Sequence, residues 1–513
     1  MRLTDVLCCF VGTGIIPDVR CSADGVIEIS GITYNSSEVQ PGWLFVAIPG
    51  RKLDGHRFIP DALERGVAAI VGACPVEELA IPRSVAYVRV DDPRRALGLL
   101  ACQLAGQPSR YMTVFGVTGT DGKTTTTHLI AAILDAAGYR TGLTSSVDFK
   151  IANERIANHT RFTNLEAPET QSLLAQMVDE RVGYAVLEVT SSGLEMERVA
   201  GIAFDVAVVT NITREHQEAH DSKDAYWRAK AMLFERIEPE CTRAMKSGCS
   251  ASPVCVLNAD DASFAFLSKF CRAPMLTYGI DNPGADVNAK GLDLRLDGST
   301  FDVYLPDGQC FTVEVPLVSR FNVSNCLAAI AATWSQGVNV EAMVRGLANF
   351  AGVSGRMEYI DVGQRFTVIV DYAHTAESLR QVLTFLRPLT SGRLIAVLGD
   401  AGDRDRLKRA EKGKVAAEYT DWFVITDEDP RTEDAAVIRR EIAAAAELAN
   451  AQEGVDFICQ AGRREGIARA FAYARAGDTV VLFGKGHEQT LIVGRERLCW
   501  DERSVARELL LEM

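Results

Sequence analysis

Hydrophobic and polar positions alternate along the chain in two rhythms. Short β-branched apolar runs repeat at intervals, and between them lie longer stretches with helical spacing. In the first hundred residues the runs "WLFVAI", "VAAIVGA" and "VAYVRV" alternate with segments such as "FIPDALERG". This pattern predicts a small α/β unit. "LAGQPSRYMTVFGVTGT" then supplies a Gly-Pro-Ser break before a new strand, which sets a first boundary near Gln107. The runs "YMTVFGV", "YAVLEVT" and "VAVVTNI" are apolar on both faces, as buried parallel strands require. "FNVSNCLAAIAATWSQG" is expected to form an amphipathic helix, and the loop "FAGVSGRME" marks a second boundary near Val353. Beyond it "FTVIVDYAH", "RLIAVLGDAGDRD", "WFVITDEDPR" and "TVVLFGKGHE" each pass from an apolar strand into a polar burst. Ligands of open parallel sheets bind beyond the carboxyl ends of the strands, so these bursts mark a site. The expectation is an α/β protein of three domains: a small N-terminal α/β unit (1–107), a central P-loop parallel-sheet domain (108–353) and a Rossmann-like parallel-sheet domain (354–513).

Length agrees, because 513 residues exceed what one core usually supports. With 47% hydrophobic residues and no low-complexity tract, the chain reads as an ordinary globular protein. A formal charge of −14 argues against a nucleic-acid backbone as partner, since phosphate neutralisation needs clustered Lys and Arg. No apolar run approaches the roughly 18 residues of a spanning helix, so membrane insertion is not expected and the chain reads as cytoplasmic. Thirteen cysteines carry no C-x-x-C and no zinc spacing, which fits reduced thiols. A G-x-G-x-x-G in its strand-turn-helix setting is also missing, and a dinucleotide cofactor is not expected.

The densest chemistry lies in "GVTGTDGKTTTTHL". A strict P-loop requires a glycine where Val117 stands, so the usual motif fails by one residue. Its physics survives: an apolar strand, Gly119 and Gly122 for close backbone approach, Lys123 for the outer phosphates and a Thr124 hydroxyl for magnesium at a helix N-terminus. Glu188 is the lone acid ending "YAVLEVT", where a magnesium-holding carboxylate belongs, although a satisfied strand-end carboxylate would look the same. His216 and His220 stand four apart, but the acid in His-Gln-Glu-Ala-His is misplaced for a zinc protease. Lys230 shares a predicted helix face with Tyr226, Trp227, Leu233 and Phe234. Such a lysine either snorkels or loses its charge to desolvation.

Taken in order, "GVTGTDGKTTTT", "LEVTSSGLEMERV", "TNITREHQEAH", "AKAMLF", "FNVSNCLAAIAA", "SGRMEYI", "VDYAHT", "GDAGDRDRLKR", "DEDPRTED" and "GKGHE" span nearly the whole chain. In this the sequence resembles the Mur ligase family, nearest to its tripeptide synthetases. The resemblance implies an ATP-dependent ligase that adds a third amino acid to UDP-N-acetylmuramoyl-L-alanyl-D-glutamate through an acyl phosphate. It implies Lys123, Glu188, His216 and Lys230 as catalytic, with Thr124, Glu188, His216 and a carbamylated Lys230 holding magnesium. ATP would meet Gly119, Thr120, Asp121, Gly122, Lys123, Thr124, Thr125, Asn322, Arg356, Asp371 and His374. The UDP-substrate would lie across Tyr34, Ser36, Arg51, Lys52, Leu53, Thr163, Asn164, Thr190 and Arg198. The incoming amino acid would meet Arg404, Glu428, Asp429, Pro430, Arg431, Gly484 and Glu488. A monomer with small-molecule substrates is the family's habit.

Departures from the family pattern concentrate on the acceptor side: Asn35 to Ser37, Asn164, Leu165, Ser192 and Met196 replace the usual residues. "EDPR" stands where Asp-Asn-Pro-Arg is usual. Arg431 suits the second carboxylate of meso-diaminopimelate, whereas Glu428, Asp429 and Glu488 suit the side-chain ammonium of lysine or ornithine equally well. Two rival readings are another amide ligase of the same superfamily and a non-catalytic nucleotide-binding paralogue.

Overall fold

The computed structural model describes residues 1–21, 26–50, 53–160, 162–213, 222–237 and 252–513. Among these residues the strands assemble into three principal sheets, each wrapped by helices, and one short hairpin.

In the first sheet the predicted runs become Trp43–Val46, Ala69–Gly72 and Ala86–Arg89, which pair in parallel. Gly31–Thr33 adds a parallel strand at one edge and Asp18–Arg20 an antiparallel one at the other. Leu44, Val46, Val71 and Val88 point into a core closed by the helix Pro93–Leu104, whose Asp92 side chain caps its N-terminus.

The largest sheet has eleven strands, and Thr113–Thr118 lies in its interior beside the middle strand. On one side this strand pairs in parallel with Tyr184–Glu188, and on the other with Val206–Val209. Burial of all three strands on both faces explains their unbroken apolar runs. The sheet is not parallel throughout, contrary to the expectation for residues 108–353. Asp148–Ile151 and Glu154–Ala157 fold back antiparallel at one margin, and Gly298–Tyr304 and Cys310–Val315 do so at the other. The latter two strands alternate more and less buried positions, a half-solvated pattern that a search for buried runs passes over, whereas Glu154–Ala157 is exposed throughout.

The helix Arg320–Trp334 also departs from expectation. It is buried almost all round from Asn322 to Thr333, because it is packed between the sheet and the helices Lys123–Ala136 and Val340–Ala348. Its alanines allow that close approach on several sides.

The third sheet carries Thr367–Asp371, Thr479–Phe483, Leu394–Leu398 and Trp422–Ile425 as parallel neighbours, matching the four runs read from the sequence. Phe457–Cys459 extends it in parallel, and Glu358–Tyr359 closes the far edge antiparallel. Each polar burst therefore emerges at one edge of this sheet. No helix among the described residues is long and apolar enough to cross a membrane.

Candidate active site

The P-loop turn lies between the strand Thr113–Thr118 and the helix Lys123–Ala136. Gly119 and Gly122 both have positive φ, 148° and 81°. A β-carbon at Gly119 would collide with the Thr210 hydroxyl, and one at Gly122 with the Asn325 side chain, so only glycine fits either place. The loop is pinned from the neighbouring strand end. Thr120 N–H donates to the Asn211 carbonyl at 2.7 Å, Asp121 N–H to Asn211 Oδ1 at 3.1 Å, and Thr210 Oγ1 to the Asp121 carbonyl at 2.6 Å. Burial raises the pKa of Asp121.

Lys123 Nζ donates to the Thr120 carbonyl at 2.6 Å. Burial lowers its pKa from the ordinary lysine value. The parallel register sets Glu188 beside Val117, which places its carboxylate against the P-loop. There it is 2% exposed and accepts from Thr124 Oγ1 at 3.1 Å, from Ser146 N–H at 2.9 Å and from Ser146 Oγ at 3.1 Å. It is thus a satisfied buried acid, and its partners are oxygen and nitrogen donors already facing the phosphate-binding turn. Arg356 Nη2 reaches Thr124 Oγ1 at 3.4 Å from the far side.

Lys230 sits on the helix Lys223–Glu235 and is 1% exposed, so it does not snorkel. Its ammonium donates to the Gly119 carbonyl at 2.6 Å and stands 4.5 Å from the centre of the Tyr226 ring. Burial foremost, and then the Lys123 charge, lowers its pKa well below the ordinary lysine value.

Seven residues expected to contact ATP line one cavity: Asp121, Gly122, Thr125, Asn322, Arg356, Asp371 and His374. The last three come from the third sheet and its approach. Arg356 lies 4.4 Å over the ring of Tyr372, and its Nε is buried without a partner. Asp371 braces backbone by accepting from Met357 N–H at 2.7 Å and Ala373 N–H at 2.8 Å.

A second cavity joins Lys123 and Lys230 to Thr163, Asn164, Thr190 and Arg198, four of the residues expected on the UDP-substrate. Asn164 is central to it. Its Nδ2 donates to the Glu188 carbonyl at 2.8 Å, and its Oδ1 accepts from Thr190 N–H at 2.9 Å. Arg198 pairs with Glu166 at 2.6 Å and lies 5.1 Å from the Phe162 ring centre. Tyr34, Ser36 and Leu53 belong to the first unit and do not line this cavity; Tyr34 reaches across to Glu169 at 3.3 Å. Arg51, Lys52 and His216 lie outside the described residues.

The expected amino-acid residues gather beyond the strands Leu394–Leu398, Trp422–Ile425 and Thr479–Phe483. Glu428 packs over Gly484, is 8% exposed, and has a buried Oε2 without a hydrogen-bond partner. Burial raises its pKa. Asp429 accepts from Lys485 Nζ at 2.9 Å and from Ile492 N–H at 2.9 Å, and Lys485 also reaches Glu488 at 2.6 Å. Pro430 presents its carbonyl to Glu433 N–H at 3.1 Å. Arg431 has a positive φ of 52°, is tied through its N–H to the Ile492 carbonyl at 3.2 Å, and has a buried Nε without a partner. Arg404 is solvent-exposed.

Sequence reading did not single out Ser146, Asn211, Asn325 or Lys485. Lys485 stood inside the quoted "GKGHE", whereas Ser146, 42 residues from Glu188, carries no local signal.

Among the described residues no three His, Cys, Asp or Glu side chains cluster as a metal site. The donor set around Thr124 and Glu188 is nevertheless of hard oxygens, the kind that suits magnesium rather than zinc.

Comparison with known proteins agrees with this architecture. Residues 28–104 match the model of the Mur ligase family catalytic domain, 117–333 that of the Mur ligase middle domain, and 355–486 that of the Mur ligase glutamate ligase domain. A UDP-N-acetylmuramyl-tripeptide synthetase of Roseiflexus sp. (strain RS-1) is 44% identical over 490 residues, 95% of each chain. A UDP-N-acetylmuramoyl-L-alanyl-D-glutamate--2,6-diaminopimelate ligase of Syntrophomonas wolfei is 39% identical, covering 94% of this chain and 95% of its own. The solved structure of a ligase with the latter name superimposes with a TM-score of 0.65 at 30% identity, covering 94% of this chain and 95% of that one. With full-length relatives above 30% identity and all three domain models in order, the chain belongs to the Mur ligase family.

Proposed function

We propose that this chain is an ATP-dependent ligase of peptidoglycan precursor synthesis that joins meso-diaminopimelate to UDP-N-acetylmuramoyl-L-alanyl-D-glutamate. The observation that carries the reading is the single cavity shared by Lys123 and Lys230 with Thr163, Asn164, Thr190 and Arg198, where a triphosphate end and a carboxylate acceptor would meet. The names of the relatives point the same way.

The D-glutamyl carboxylate of the acceptor attacks the γ-phosphorus of ATP, the bond to the β-phosphate oxygen breaks, and ADP leaves. The amino group of diaminopimelate, having lost a proton, adds to the acyl phosphate. Collapse of the tetrahedral adduct forms the amide and expels phosphate. Lys123 neutralises charge on the transferring group, and the P-loop amides hold the triphosphate. Asn164 and Thr190 orient the acceptor, and Arg356 approaches the nucleotide from the third sheet. Burial depresses the pKa of Lys230, which favours loss of its proton; the amine so formed can add carbon dioxide and become an anionic carbamate. Thr124, Glu188, that carbamate and His216 would hold magnesium, which when bound neutralises phosphate oxygens.

Two unsatisfied groups support diaminopimelate. Arg431 offers a free Nε for a second carboxylate, and Glu428 a free Oε2 for an ammonium. Lysine and ornithine would leave the guanidinium unused. The enzyme acts on small molecules as a cytoplasmic monomer, the habit that the family resemblance implies.

The test is ADP release and tripeptide formation with diaminopimelate, lysine and ornithine in competition. Diaminopimelate is expected to be preferred, and Arg431→Ala to lose that preference. Preference of the wild type for lysine or ornithine overturns the amino acid alone. Nucleotide binding without turnover overturns the ligase and leaves the non-catalytic paralogue.

A further inference from the structure

Glu188, Ser146 and Thr163 form a chain of hydrogen bonds from the P-loop to the place where two cavities meet. Ser146 lies in the turn between the strands Thr141–Thr144 and Asp148–Ile151. Its Oγ stands 3.1 Å from both carboxylate oxygens of Glu188 and 2.9 Å from Thr163 Oγ1. Thr163 lines the cavity of Lys123, Lys230 and Asn164, and it also lines a cleft of about 800 Å³ that passes Ser146 and His487 and reaches Glu488. Among the described residues it is the one shared by both linings. On the ligase reading above, the first cavity holds the acyl phosphate, and the cleft leads towards a residue expected on the incoming amino acid.

Chemistry fixes the direction of these bonds. A carboxylate oxygen only accepts, so the single hydroxyl proton of Ser146 goes to Glu188. Ser146 Oγ therefore accepts in its contact with Thr163, and the single Thr163 proton is spent there. What Thr163 has left to offer is lone pairs. A carboxylate, an acyl oxygen or a phosphate oxygen brings no proton to such a group, whereas an amine brings N–H.

We infer that Ser146 is a positioning residue that holds Thr163 as a hydrogen-bond acceptor, and that Thr163 so held receives an N–H of the incoming amine where the two cavities meet. The inference rests on the ligase reading. An N–H donated to Thr163 leaves the nitrogen lone pair for the acyl carbon. As the C–N bond forms, the nitrogen gains positive charge and the hydrogen bond to Thr163 strengthens, with the Glu188 carboxylate behind it polarising the chain. The benefit falls on amide formation and not on the ADP-forming step that precedes it.

The experiment compares wild type with Thr163→Val, Thr163→Ser, Ser146→Ala and the double variant Ser146→Ala with Thr163→Val. The substrates are ATP, UDP-N-acetylmuramoyl-L-alanyl-D-glutamate and whichever of diaminopimelate, lysine and ornithine the wild type uses best. Tripeptide formation gives KM for each substrate, and the burst of ADP without amino acid reads the first step alone. Valine keeps the shape of threonine and loses the hydroxyl. Its KM for the amino acid is expected to rise roughly tenfold, the scale of one hydrogen bond, while KM for ATP and for the UDP-substrate, the ADP burst and the melting temperature stay unchanged. Thr163→Ser is expected to restore most of the loss. Ser146→Ala, which keeps the backbone N–H bond to Glu188, should raise the same KM by less and add nothing in the Thr163→Val background. A rise confined to the UDP-substrate gives the Thr163 lone pairs to a peptide N–H of the acceptor and overturns the inference, as does an unchanged amino-acid KM. Additive losses in the double variant overturn the part given to Ser146. A wild type that forms no tripeptide removes the ligase reading and this inference together, whereas an active wild type with silent variants removes this inference alone.

Discussion

The Lys230 ammonium donates to the carbonyl of Gly119 across 2.6 Å, linking the helix Lys223–Glu235 to the first glycine of the phosphate-binding turn. That contact buries an amine in a place where its charge is costly, beside a second lysine that makes it costlier.

A lysine whose pKa is depressed by burial is suited to the carbamylation proposed above. Lys230→Ala should reduce kcat by about 10² to 10³, the scale of losing one pre-organised charged group. Lys230→Arg should be no better, since a guanidinium forms no carbamate. Depleting carbon dioxide should slow the wild type and leave the residual rate of the alanine variant unmoved. ADP release under controlled bicarbonate checks both, and an arginine variant with near-normal turnover would sink the idea.

Glu188 should matter for turnover more than for folding. Glu188→Gln keeps the side-chain volume and an acceptor for Ser146, while removing the charge that faces the P-loop. We expect kcat/KM to fall by about 10² and the magnesium concentration for half-maximal rate to rise. Chemical denaturation should show a change of less than about 2 kcal/mol. A large loss of stability with magnesium dependence intact would mark the residue as structural.

The pair Arg463 and Glu502 holds the third sheet to the C-terminal helix Glu502–Leu511. Its closest contact is 2.5 Å and both side chains are inaccessible to solvent. Glu502→Ala strands the guanidinium and should cost roughly 3 to 5 kcal/mol of unfolding free energy. Replacing both residues with apolar side chains of similar volume should cost less. Urea denaturation of the single and double variants decides, and equal losses would count against the explanation.

Acid sensitivity has a specific source in Glu433. Hydrogen bonding to Arg409 foremost, helped by the Asp403 N–H, pulls its pKa down to about 2. A folded-state pKa below the unfolded one adds stability that is full above the ordinary glutamate range and is lost as pH falls towards about 2. Glu433→Gln should therefore be less stable than wild type at pH 7, with the gap narrowing on acidification. Melting curves from pH 7 to pH 3 check the sign; a gap that widens contradicts it.

How much of this the sequence made legible depends on how local each signal is. The P-loop was readable because strand, glycines, lysine and hydroxyl lie within a dozen residues. The buried face of Lys230 was readable from helical spacing against Tyr226 and Phe234, although spacing alone left snorkelling open; burial in the fold decides it. Ser146 could not be found, because it meets Glu188 only where the chain turns back beside the central strands. Lys485 was visible as a letter in a motif, but its pairing with Asp429 arises from two strands 56 residues apart. The antiparallel margins of the large sheet escaped for another reason: their half-solvated strands lack the unbroken apolar runs that marked the rest.

Asn164 grips the main chain of Glu188 while Thr124 and Ser146 grip its side chain. On the proposed reading, one amino acid thus has the acceptor on its spine and the triphosphate on its tip. Retargeting such an enzyme to a new acceptor by changing Asn164 would disturb phosphoryl transfer at the same stroke. Variation is cheaper at places like Phe162 and Ser192, which border the same hollow without touching that shared hinge point. Asn164 is itself one of the positions where this chain departs from the family pattern, so divergence here has reached that hinge point as well as the rim at Ser192.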